Sequence, residues 1–313
     1  MKKTFFIKLI CFMLSLLIIP SAYFFYVQSK PAVFRRSLMG SVNVKLSILQ
    51  QTEGERIILL GGSSVPYSIQ CESVSKAAGK PCISMGATAY LGLEYYYYLI
   101  KDEIRAGDII IIAPEFSMLS NSVNYTTVWT AVENSEQLLT RLPLSYIPPM
   151  AKSFYNYSLS KLDLIKNGRP EKSELEQYYE AGFGPYGDIV TYRETLLESG
   201  YDKNNTYSIT QSSLSEEAVR ATNKFCDFAQ KKGCSVYITW APFDKLAFQS
   251  SIRQLAEFEK TLKNEIKAEY VGNMTDCLMD EKYFYDSNNH LTTSGAQLRT
   301  EIFISDFLAA GVF

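Results

Sequence analysis

The chain has 313 residues, 47% apolar and 20% charged, an ordinary globular composition that excludes a wholly disordered polymer. Lys+Arg number 31 and Asp+Glu 33, and the net charge of −2 speaks against a nucleic-acid partner held by the whole surface. A single His restricts imidazole chemistry to one position, His290.

At the amino terminus, Lys2, Lys3 and Lys8 precede an uncharged run from Leu9 to Val27. A helix needs about 20 apolar residues to cross a bilayer, so the run predicts an N-terminal membrane anchor within residues 1–30. The basic flank places that N-terminus in the cytoplasm and the rest of the chain outside. Pro20-Ser21-Ala22 keeps a cleaved signal peptide open as the alternative, which would make the protein secreted. The expected partner of residues 9–27 is the lipid bilayer. No other apolar run is long enough to span, which excludes a transporter. Residues 31–54 are mixed and polar and read as a stalk, and 55–313 as the exported domain.

From Arg56 the pattern becomes regular. Ile57 to Leu60 is a continuous apolar run ended by Gly61-Gly62, the signature of a buried parallel strand. The pattern then predicts a helix over 69–78, a strand over 82–85, a helix over 93–105 and a strong strand over 108–113, ended by Pro114. A helix over 215–232 leads to a strand over 235–240. A helix over 250–267, a short strand over 269–271 and a helix over 294–310 complete the chain. Strands alternating with helices imply an α/β fold with a mainly parallel sheet covered on both faces. The stretch 117–213, rich in Tyr, Ser and Asn, breaks the rhythm and reads as a mostly helical insertion over the C-terminal edge of the sheet, where such folds bind ligands.

Of six cysteines, Cys11 falls in the anchor, and Cys71 and Cys82 either bridge or stay as buried thiols. There is no CxxC and no phosphate-binding Gly-rich loop, so neither a metal nor a cofactor is expected. Tyr95 to Tyr98 must turn at least one ring into the core, and Trp240 to Phe243 end a strand at the ligand edge.

Two segments carry chemistry. Gly61-Gly62-Ser63-Ser64 puts a hydroxyl at the end of a buried strand, beside the free N–H groups that open the next helix. Asp286-Ser287-Asn288-Asn289-His290 places the one imidazole just before the last helix. A Ser hydroxyl needs an adjacent base, and the base an orienting acid. Ser63, His290 and Asp286 supply all three.

These residues resemble the SGNH, or GDSL-like, hydrolase superfamily over about 55–115 and 215–310, and within it membrane-anchored bacterial members with a Gly-Gly-Ser-Asn first block. Gly61 to Ile69 looks like that block with Ser64 in place of Asn, Ser84 to Leu93 like the second, Gly107 to Phe116 like the third, and Asp286 to Leu291 like the last. The resemblance implies a three-layer α/β/α fold and acyl-ester chemistry. Ser63 would be the nucleophile, His290 the base and then acid, and Asp286 the orienting acid, with the Ser63 and Gly86 N–H groups as oxyanion hole. It implies an extracytoplasmic esterase or O-acyltransferase of cell-surface polysaccharide, with a membrane protein that delivers acyl groups as a further partner. There are two departures. The family's Asp-x-x-His is here Asp-x-x-x-His, with Ser287 at the usual Asp position. Glu115 stands where an Asn usually supplies an oxyanion donor, and a carboxylate there would repel an oxyanion. Ser64, Glu115 and Ser287 are therefore accessory candidates. The alternative is a catalytically inactive glycan-binding or scaffold protein of the same fold.

Overall fold

The computed structural model describes residues 2–120, 123–168, 180–195, 206–209 and 213–313, without the side chains of 2–4, 9–11, 13, 14, 16, 17 and 180. The chain opens with α1 (Lys2–Gln28) and α2 (Val42–Gln51). The first βα units follow: β1 (Ile57–Gly61), α3 (Ser64–Ser68), α4 (Cys71–Ala78), β2 (Cys82–Ser84), α5 (Gly92–Ile100) and β3 (Ile109–Ala113). Four helices open the insertion: α6 (Phe116–Ser120), α7 (Tyr125–Ala131), α8 (Glu136–Leu139) and α9 (Ile147–Asn167). The α/β rhythm resumes with α10 (Glu216–Lys231), β4 (Ser235–Ile238), β5 (Phe243–Asp244), α11 (Ile252–Glu265) and β6 (Glu269–Tyr270). It ends with β7 (Leu278–Met279), β8 (Phe284–Ser287), β9 (His290–Leu291) and α12 (Thr293–Ala309).

The central sheet is parallel throughout, in the order β2-β1-β3-β4-β6. Side chains alternate between its faces, as the pleat requires. Ile58, Leu60, Ile110 and Ile112 enter the larger core with α2, α5, α10 and α11. Ile57, Leu59, Ile109 and Ile111 enter the smaller one with α4 and α12. Helices thus cover both faces of the sheet, an arrangement compatible with three α/β/α layers. Two-stranded sheets β5–β7 and β8–β9 lie outside it.

Among the described residues no helix is long and apolar enough to cross a membrane, and much of the first half of the span expected at 9–27 lies outside the described side chains. The last turns of α1 pack on protein. Tyr23 Oη lies 2.7 Å from Ser158 Oγ, the Phe24 ring 5.0 Å from that of Phe154, and Val27 is fully buried.

Residues 31–54 are no free stalk: Val42, Leu46 and Leu49 of α2 are fully buried in the main core. The Phe34 N–H donates to Glu133 Oε2 at 2.6 Å, and Glu133 is itself paired with Lys161 at 3.2 Å in a fully buried bridge. Among its described residues the insertion is mostly helical, through α6 to α9. Its described stretch 180–195 is almost without helix, and it is this stretch that reaches α3 and β9, through Ile189 N–H to Pro66 O at 2.9 Å and Arg193 Nε to Leu291 O at 2.8 Å. Cys71 and Cys82 are free buried thiols, and burial pushes Cys71 well above the usual thiol range. Cys11 lies outside the described side chains.

Candidate active site

β1 delivers its chain to the C-terminal edge of the sheet through a turn that admits only glycine. A Cβ at Gly61 would stand 2.4 Å from Ala113 O, and one at Gly62 2.2 Å from Glu115 Oε1. Ser63 follows at φ −66°, ψ −24° and opens α3, with its side chain partly open to solvent.

The opposite wall is the β8–β9 hairpin. Its pairing is irregular between Phe284 and Ser287, the mark of a bulge, which absorbs an extra residue and re-aims a side chain. Ser287 Oγ accepts the N–H of Asn289 at 3.3 Å and of His290 at 3.2 Å, closing the turn. That tight turn answers the spacing problem. Asp286, rather than Ser287, faces the imidazole, and Asp286 Oδ1 lies 2.7 Å from His290 Nδ1. His290 Nε2 lies 2.7 Å from Ser63 Oγ. Asp286 and His290 are both buried, so the relay is shielded on its acid side and open at the hydroxyl. A carboxylate that fixes the imidazole tautomer, with the other ring nitrogen on a hydroxyl, is the arrangement that activates serine.

Gly86 follows β2 and packs against the turn that carries Ser63. A Cβ there would meet Gly62 O at 2.5 Å and Val65 Cβ at 2.8 Å. Among the described residues the N–H groups of Ser63 and Gly86 have no protein acceptor. Ser64 is buried; its N–H donates to Glu115 Oε1 at 2.9 Å, and its Oγ has no partner among the described residues. Glu115, itself buried, therefore braces the nucleophile turn from behind.

Other residues at the site went unread in the sequence. The Tyr67 ring stacks on His290, and Arg193 lies over the Tyr67 ring, its Cζ 5.1 Å from the ring centre. Arg193 also bonds Tyr67 O at 2.8 Å and Leu291 O at 2.8 Å, tying α3 to β9. Lys45 of α2 donates from Nζ to Gly86 O. Tyr207 is hydrogen-bonded to Asn289, next to the imidazole. Tyr67 lies in the first quoted block; Arg193 and Tyr207 carry no local sequence signal at all. Trp240 does not line the site: it is buried, with Nε1 on Gly272 O at 3.2 Å and its ring 5.6 Å from that of Tyr270. Of the four tyrosines, Tyr95, Tyr96 and Tyr97 are buried, and only Tyr98 is partly open.

No protein-family model matches the chain, and no curated protein matches it in sequence.

Proposed function

We propose that the protein is a serine esterase or O-acyltransferase of the SGNH type, acting outside the cytoplasmic membrane on a cell-surface polysaccharide. The observation that carries the reading is the continuous relay from Asp286 through His290 to Ser63, with both contacts at 2.7 Å. Ser63 Oγ attacks the ester carbonyl carbon while His290 Nε2 takes its proton. The N–H groups of Ser63 and Gly86 hold the oxyanion. Collapse expels the alcohol, which takes the proton back from His290, and leaves an acyl-Ser63. Water then gives hydrolysis, and a sugar hydroxyl gives transfer. The uncharged run 9–27 behind Lys2, Lys3 and Lys8 supports retention at the bilayer, with an acyl-delivering membrane protein as donor.

The test is covalent labelling of the full chain in detergent by a fluorophosphonate, read by intact mass. One adduct on the parent, and none on Ser63→Ala or on Asp286→Ala/His290→Ala, is the expected result. A second reading, a glycan-binding or scaffold protein without turnover, is favoured by the buried Glu115 carboxylate behind Ser63. A folded parent that takes no label would establish it over the first.

A further inference from the structure

We infer that Lys45, together with Tyr96, is a positioning clamp on the Gly86–Ala87 peptide that keeps the Gly86 N–H turned towards Ser63. The inference rests on the serine reading above.

The peptide is held at both ends. Its carbonyl, Gly86 O, accepts from Lys45 Nζ. Its N–H, that of Ala87, donates to Tyr96 Oη at 3.0 Å. The Tyr96 hydroxyl also accepts the Thr88 N–H at 2.9 Å and donates to Thr88 O at 3.0 Å, so its own place is fixed. Both clamping side chains are at most 1% exposed. Gly86 has no side chain of its own to limit rotation about its backbone bonds. Without the clamp, the residue that must present an N–H to the oxyanion would be the loosest in the loop.

Burying an amine is costly, and its surroundings are built to accept it. Lys45 Nζ lies 4.9 Å from the centre of the Phe183 ring, and its stem packs within 3.1 Å of where a Cβ on Gly187 would be. Burial opposes its charged form, and the neighbouring Asp188 carboxylate favours it. A lysine kept only for packing would need no acceptor at Gly86, which packs against the turn that carries Ser63. The clamp also makes α2 part of the site, so a domain beginning at residue 55 would lack half of it.

The experiment is steady-state hydrolysis of p-nitrophenyl acetate by the full chain in detergent, for the parent, Lys45→Met and Tyr96→Phe, with circular dichroism to fix the folded fraction. Loss of a direct oxyanion donor costs about 100–1,000-fold, so a loosened one should cost about 10–100-fold. That loss is expected in kcat, with KM within about twofold, because the clamp acts on the transition state. A purely structural role would lower the folded fraction without changing kcat per folded molecule. Folded Lys45→Met with unchanged kcat overturns the inference. If Lys45→Met does not fold, Tyr96→Phe decides, since it frees the same peptide from its other end: a kcat-only loss upholds the clamp and an unchanged kcat overturns it. An inactive parent that also takes no fluorophosphonate sinks the serine reading and the clamp with it, whereas an active parent with two unaffected variants sinks the clamp alone.

Discussion

Tyr67 lies flat on His290, with ring centres 4.0 Å apart and planes 9° from parallel. The phenol ring fixes the plane of the imidazole, and the Asp286 contact fixes its rotation within that plane. Such aromatic pairs are worth about 0.5–1.5 kcal/mol beyond area burial. Tyr67→Leu should therefore slow fluorophosphonate labelling of Ser63 by about 2–10-fold per folded molecule, whereas Tyr67→Phe, which keeps the ring, should label at the parent rate. Equal rates for parent and Tyr67→Leu would show that the stack does not orient the base.

Asp286 and Ser287 divide one task between them. Asp286 meets the imidazole, and Ser287 closes the turn that brings it there. Asp286→Asn leaves the shape but favours the wrong tautomer, and labelling should fall about 1,000–10,000-fold. Ser287→Ala loses an acceptor for two N–H groups, at about 1 kcal/mol each, and should lower the denaturation midpoint while labelling changes only a few-fold. The opposite ranking of the two variants would assign the acid to the wrong residue here.

The contrast shows what was legible in the sequence. β1 and β3 were plain because Ile57 to Leu60 and Ile109 to Ile112 are unbroken apolar runs stopped by Gly or Pro. Ser63 and His290 were plain because one follows such a strand and the other precedes the last helix. How Asp286 reaches the imidazole at the shifted spacing was not legible, because a bulge is a property of pairing, which spacing does not reveal. α2 was missed because its charged and amide residues were read as stalk, although Val42, Leu46 and Leu49 recur at helical spacing and are all buried. Lys45 was missed with it, since a lysine is seldom wholly buried. Arg193 joins α3 to β9 from far away in the chain, and a contact of that kind has no local signature.

Glu115 is the departure with the clearest chemical consequence. Its Oε1 accepts the Ser64 N–H at 2.9 Å, one residue beyond the nucleophile. A negative charge this close opposes the growing charge on an oxyanion by about 1 kcal/mol or more at an effective dielectric near 20. Glu115→Gln keeps the acceptor and removes the charge, so labelling should become several-fold faster. Glu115→Ala strands a buried N–H and should cost about 1–3 kcal/mol in urea denaturation. A Glu115→Gln variant slower than the parent by tenfold would mean that the carboxylate serves the reaction.

Lys45 should leave its mark on stability as well. Burial pushes its ammonium down to about 7, against the pull of the nearby Cys71 and Asp188, while the unfolded chain keeps a lysine near 10.4. Between those values the unfolded state holds a proton that the folded state has released. Stability from this group therefore rises with pH from about 7 towards 10.4, by at most about 1.4 kcal/mol per pH unit, and is lost as pH falls through 7. Two neighbours titrate outside the lower part of that window. Burial raises the Cys71 thiol well above its usual range, so the unfolded thiol ionises first and stability from it falls above about pH 8.5. Burial also raises the Asp188 carboxyl, whose effect belongs to acid pH. Urea denaturation at pH 7.2, 7.8 and 8.4 is the measurement. The parent should gain stability across the series relative to Lys45→Met, which carries no amine there to titrate. Parallel slopes for the two proteins would show that Lys45 keeps its proton in the fold, and that the bond to Gly86 O is made by the ammonium throughout.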